Sequence, residues 1–114
     1  MKKIYRLKRS EDFKKVLDER RCLHRSDSFS IFYISNELTN ARIGLSVSTK
    51  IGNAVIRTRV KRQLRAQIAQ CNIYSLHIDV VIIVKPNYLK KKFSENLELL
   101  MKAFLPLQKH EGSY

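Results

Sequence analysis

Ile78–Val84 reads IDVVIIV, a nearly unbroken run of β-branched residues. A strand with one wet face would alternate, so this run predicts a central strand buried on both faces. Lys85-Pro86-Asn87 ends it. Upstream, Ser28–Ser35 (SFSIFYIS) alternates, with Phe29, Ile31 and Tyr33 on one face and Ser28, Ser30, Phe32 and Ile34 on the other. Arg42–Ser48 (RIGLSVS) puts Ile43, Leu45 and Val47 toward the core and leaves Arg42, Gly44, Ser46 and Ser48 facing away. The intervening segment, residues 36–41, predicts a hairpin turn joining these two strands. Where the small faces of the two strands coincide, the sheet carries a shallow trough with Phe32 in it. The other reading packs Phe32 beneath the first helix, and the pattern leaves both open.

Three helical segments surround these strands. Ser10 followed by Glu11 and Asp12 predicts a helix start, with Ser10 as cap and the acids at the positive dipole end. Phe13, Val16 and Leu17 give that helix an apolar face, and it ends near Asp18–Arg20. Gly52-Asn53 breaks the strand pattern, and a helix is expected from about Ala54 to Gln70 with Ile56, Val60, Leu64 and Ile68 as its apolar stripe. Ser94 is the expected cap of a last helix carrying Leu97, Leu100, Met101 and Phe104, closed by Leu105-Pro106. The sum is a small α+β or α/β sandwich of helices on one sheet, and the α+β class is the one adopted.

The chain has 114 residues, with 23 Lys and Arg against 10 Asp and Glu, for a net charge of +13. That length suits one domain, residues 1–114, with a basic arm over residues 1–9 and a flexible tail over residues 107–114. No apolar run approaches the ~18 residues of a membrane span, and the lysines of MKKIYRLKRSEDF are followed by more charge rather than by a signal-peptide core. A cytoplasmic protein is expected. Cys22 and Cys71 show no metal spacing and read as buried or half-buried thiols, while His24, His77 and His110 stand alone. No nucleophile–base pair, carboxylate pair or metal cluster suggests an independent enzyme.

The charge is segregated. From Leu38 to Ile78 there is no acidic residue, yet the interval holds Arg42, Lys50, Arg57, Arg59, Lys61, Arg62 and Arg65. Arg57, Lys61 and Arg65 form an i, i+4, i+8 row beside the apolar stripe of the middle helix, and Arg59 and Arg62 lie further round. Such a row lacks i, i+4 relief and calls for an external polyanion. Arginine forks match phosphate oxygens, so nucleic acid is the favoured partner. A helix-turn-helix reading fails because a strand, not a helix, precedes this segment. A membrane-active helix fails on its narrow, β-branched apolar face.

Lys50–Arg65, KIGNAVIRTRVKRQLR, resembles the signature K-x-G-N-A-V-x-R-N-R-x-K-R-x-x-R of the bacterial ribonuclease P protein family. It matches at every specified position except Thr58, where the family has Asn. RLKRSEDFKKVL (Arg6–Leu17) and RIGLSVSTK (Arg42–Lys50) are similar to the family's neighbouring stretches, and the likeness covers about residues 5–105. The resemblance implies an αβββαβα order on a four-stranded sheet, an added short strand near Arg20–His24, and a left-handed βαβ crossover. It implies a protein subunit of an RNA-based enzyme that removes the 5′ leader of precursor tRNA. The partners are then the catalytic RNA and precursor tRNA, with no membrane and no obligate protein partner, and Mg2+ is held mainly by RNA. The implied contacts to catalytic RNA are Asn53, Arg57, Thr58, Arg59 and Arg62. The implied leader contacts are Phe13, Leu17, Phe32, Ser46, Lys50, Lys61 and Arg65. No protein residue is catalytic and none binds metal. The rival is a structural RNA-binding protein of ribosomal type.

Overall fold

A computed structural model describes the backbone of residues 1–112 and the side chains of residues 1–108. The elements are α1 (Ser10–Glu19), β1 (Arg21–Arg25), β2 (Phe29–Ser35), β3 (Arg42–Ser46), α2 (Ala54–Cys71), β4 (Ile78–Val84) and α3 (Phe93–Gly112). Short 3-10 turns lie at Lys3–Tyr5 and Pro86–Lys90. The order is αβββαβα, and the sheet runs β1-β2-β4-β3.

The continuous apolar run of β4 explains the sheet order. Val80, Val81 and Ile82 are fully buried, so β4 needs a strand on each side and helices on both faces. It pairs antiparallel with β2 and parallel with β3. This overturns the hairpin expected over residues 36–41, because β4 lies between β2 and β3. That segment instead straps the start of β4. The Asn36 amide N–H donates to the His77 carbonyl at 3.0 Å and the Ala41 N–H to that of Tyr74 at 2.9 Å. Asn36 Nδ2 also donates to Asp79 Oδ1 at 2.8 Å.

Two cores result. Phe29, Ile31, Ile43, Val80 and Ile82 face Val60, Leu64 and Ile68 of α2 and Leu100 and Phe104 of α3. On the other face Phe32 and Val81 meet Leu7 and Val16, flanked by Phe13, Leu17, Ile34 and Ile83. Gly44, expected to face away, is buried because the Phe13 ring lies where its side chain would be.

Local expectations shift at the helix ends. The α1 cap position is Arg9, with no side-chain cap bond, so Ser10 is the first helical residue rather than the cap. Ser94 likewise lies inside α3. Glu95 reaches back to accept the Lys92 amide at 2.9 Å, the reciprocal half of a capping box. Proline does not close α3, which passes through Pro106 to Gly112. The turn beyond it is anchored because Leu107 packs on the larger core and Gln108 Nε2 donates to the Cys71 carbonyl. The expected tail from residue 107 is therefore helical through Gly112; residues 113 and 114 lie outside the described residues. Met101 is 47% exposed, and Ala103 takes the inward position. Cys71 is buried, while Cys22 is exposed on the edge strand β1.

The basic N-terminal stretch is docked rather than free. Arg6 bridges Ile43 in parallel, and the Leu7 amide donates to the Ile43 carbonyl at 3.0 Å. Tyr5 stacks on Tyr74 with ring centroids 4.1 Å apart. This stretch covers the outer edge of β3, an edge that otherwise offers unpaired backbone groups.

Candidate nucleic-acid interface

The acid-free motif builds one helix and its approach. Asn53 caps α2, its Oδ1 accepting the Ile56 amide at 3.0 Å. The apolar stripe turns inward through Val60, Leu64 and Ile68. Geometry then sorts the cations. Thr58, Arg59 and Arg62 are exposed on the outer face, and Arg57, Lys61 and Arg65 are half-buried beside the stripe. Arg57 Nε folds back onto the Gly52 carbonyl at 3.3 Å, tying the row to the turn. Among the described residues no acid pairs with any of these cations. The ion pairs are Arg9–Glu11, Arg42–Asp12, Arg42–Asp79, Lys91–Asp27 and Lys102–Glu98. Arg42, counted among the free cations by sequence, is neutralised internally: its Nε and Nη2 reach Asp79 at 2.9 and 2.6 Å.

Lys61 and Arg65 open into a cleft of about 360 Å3 at the β3 edge. Phe13 of α1, Ile43 and Leu45 of β3, and Met1, Arg6, Leu7 and Lys8 of the docked N-terminal stretch complete its walls. Burial, with Arg6 nearby, lowers the Arg65 guanidinium from its ordinary value, although an arginine stays charged at neutral pH. Arg6 Nε is buried and has no hydrogen-bond partner among the described residues. The cleft is thus a partly desolvated cationic site with an aromatic wall, suited to a phosphate carrying an unpaired base. Arg6 and Lys8 carried no assigned role in the sequence reading. Their signal was only a diffuse basic stretch, and their docking on β3 depends on a bridge spanning 37 positions (43 − 6).

The remaining candidates do not line this cleft. Strand register puts Gly44, Val81, Phe32 and Cys22 in one row across the sheet, and Ser46, Ile83, Ser30 and Arg25 in the next row on the same face. Ser46 and Ile83 are half-buried, Ser30 is buried and Arg25 is exposed, so the second row forms a partly covered floor of small and apolar groups ending at Arg25. Leu17 packs half-buried against the smaller core, and Lys50 is exposed in the turn before α2. Phe32 is only 4% exposed. The packing reading therefore describes Phe32 better than an open stacking platform does. Its ring carries the guanidiniums of Arg20 and Arg25, with carbon atoms 4.8 and 5.6 Å from the centroid.

A family model described as Ribonuclease P matches residues 1–108. The chain is 36% identical over 105 residues to the ribonuclease P protein component of Lactococcus lactis subsp. lactis, across 90% of this chain and 89% of that relative. It is 36% identical over 112 residues to the ribonuclease P protein component of Enterococcus faecalis, across 96% and 92% of the two chains. The solved Staphylococcus aureus RNase P protein superimposes with a TM-score of 0.79 at 26% identity, over 88% of this chain and 92% of that one. No comparison supports the ribosomal-type alternative. With a fold, a motif and full-length relatives in agreement, the chain belongs to the bacterial ribonuclease P protein family, the protein subunits of the ribonucleoprotein that processes tRNA.

Proposed function

We propose that α2 docks on the catalytic RNA through Arg57, Arg59 and Arg62, and that the cleft beside it receives the single-stranded 5′ leader of precursor tRNA. Asn53 and Thr58 sit at the same surface, the first holding the helix start and the second offering a hydroxyl to RNA. Lys61 and Arg65 follow the leader phosphates while Phe13 stacks on a base. Ser46, Leu17 and Lys50 border the path, and Phe32 supports its floor from below. The carrying observation is that Lys61 and Arg65, without acidic partners among the described residues, face an aromatic side chain across one cleft. Unpaired RNA suits such a site because its bases are free to stack, whereas duplex bases are not.

Cleavage itself is assigned to the RNA. Three carboxylates are engaged by cations: Asp12 and Asp79 turn to Arg42, and Asp27 turns to Lys91. Among the described residues no three His, Cys, Asp or Glu side chains converge on one point. In this reading Mg2+ in the holoenzyme is held mainly by RNA, and the protein's part is to neutralise phosphate and position substrate, in the cytoplasm and without an obligate protein partner.

Precursor tRNA cleavage by the cognate catalytic RNA at low magnesium tests this directly. The protein should stimulate cleavage at the mature 5′ end. Lys61→Ala with Arg65→Ala should weaken holoenzyme affinity for precursor tRNA by about 10-fold, with little change for mature tRNA. Equal losses for both ligands would overturn the leader assignment.

A further inference from the structure

Arg20 and Arg25 lie outside the motif, and neither has an acidic partner within 4.0 Å among the described residues. Both side chains are exposed, yet both converge on one ring. Phe32 is buried in the smaller core, and the two guanidiniums lie against its ring from the solvent side, an arrangement that orders arginine without consuming its charge. Arg25 also spends Nε on the Cys22 sulfur at 3.3 Å, a weak acceptor, which leaves its two terminal nitrogens for another partner.

Register ties this pair to the cleft. Cys22, Phe32, Val81 and Gly44 are consecutive across the four strands, and the Phe13 ring rests on Gly44. Arg25 closes the neighbouring row of Ser30, Ile83 and Ser46. Three interstrand spacings separate the β1 end of this floor from the β3 end, about 14 Å. That distance spans about four nucleotides at a stacked rise of 3.4 Å, and fewer for an extended strand.

We propose that Arg20 and Arg25, held on Phe32, form a second phosphate-binding lip for single-stranded RNA at the opposite end of the trough from Lys61 and Arg65. The inference rests on the leader reading and extends it: the leader crosses the sheet face, and its distal nucleotides reach β1. Phe32 is then a positioning residue that presents arginine to phosphate rather than a base-stacking surface.

The test is holoenzyme affinity for precursor tRNAs whose leaders lengthen one nucleotide at a time from one to eight. The variant is Arg20→Gln with Arg25→Gln, which keeps the stems on the Phe32 ring and removes the charge. With the unaltered protein, affinity should rise as the leader lengthens. With the variant, short-leader substrates should bind as before, and long-leader substrates should lose about 5- to 10-fold, with the salt slope falling by about 1.4 for two single-strand contacts. A variant that retains the whole gain from lengthening overturns the second lip while leaving the leader reading intact. So does an equal loss at every leader length. If the unaltered protein gains nothing from a longer leader, the leader reading fails and this inference fails with it. Thermal unfolding of the variant, unchanged within a few degrees, separates lost charge from lost fold. If the Gln pair unfolds early, Arg20→Lys with Arg25→Lys supplies the second arm: charge is kept and the fork lost, and the long-leader loss should be smaller.

Discussion

At the scale of single residues, the cleft depends on an absent side chain. Gly44 sits in a buried row with the Phe13 ring directly over it, so any Cβ at residue 44 collides with the ring. Gly44→Ala should displace Phe13 from the cleft wall and cost about 1–3 kcal/mol by overpacking. Denaturant unfolding of Gly44→Ala, Phe13→Ala and the double variant checks this. The two losses should be non-additive, because removing the ring removes the clash. Strict additivity would mean that residue 44 does not set the ring's position. The same scale holds the clearest misreading of charge. Arg42 belongs by sequence to the acid-free basic stretch, but its fork is spent on Asp79, and that hydrogen-bonded carboxylate raises its guanidinium from the ordinary value. Sequence separation hid the pair, since the two residues are 37 positions apart.

Among the elements, α2 carries the unpaired cations and Asn53 starts it. Asn53→Ala removes the acceptor of the Ile56 amide, and a lost cap of this kind costs about 0.5–2 kcal/mol. Its first turn also holds Arg57 near the Gly52 carbonyl, so fraying should spread to the RNA face. Thermal unfolding should show a fall of several degrees for Asn53→Ala, and Asn53→Asp should restore it, because a carboxylate caps and suits the positive helix end. Failure of Asn53→Asp to restore stability would show that the amide does more than cap. The ends of α1 and α3 were less legible. Ser10 and Ser94 have good capping chemistry, but differences of one and two residues in where the chain turns put both inside their helices. Pro106 is an equally strong stop signal, overridden by the contacts of Leu107 and Gln108 on the larger core and the end of α2.

Over the whole molecule, charge is divided between internal use and display. Asp12 and Asp79 are taken up by Arg42, and the α2 cations keep theirs. Phosphate binding releases counterions, so the displayed share is measurable as a salt slope. Arg57→Ala with Arg59→Ala should flatten the dependence of catalytic-RNA affinity on salt by about 1.4–1.8 in log–log slope, the value for two lost phosphate contacts. Titrations across a range of potassium concentrations give that slope, and an unchanged value would place both arginines off the phosphate backbone. Little stability should be lost in this variant: Arg59 is exposed, and Arg57 contributes one 3.3 Å hydrogen bond to a carbonyl.

Local pattern was enough to read β2, β3, β4, the amphipathic α2 and the segregation of its cations, because alternation, helical period and charge are properties of neighbouring residues. The motif from Lys50 to Arg65 was enough for the family. Tertiary structure decided the rest. The placement of β4 between β2 and β3, the docking of Arg6 and Leu7 on the β3 edge, the burial of Gly44 under Phe13 and the covering of Phe32 by Arg20 and Arg25 all join segments that carry no local mark of one another. Those contacts form because a strand apolar on both faces must be enclosed from both sides, and the enclosing segments bring their charges with them.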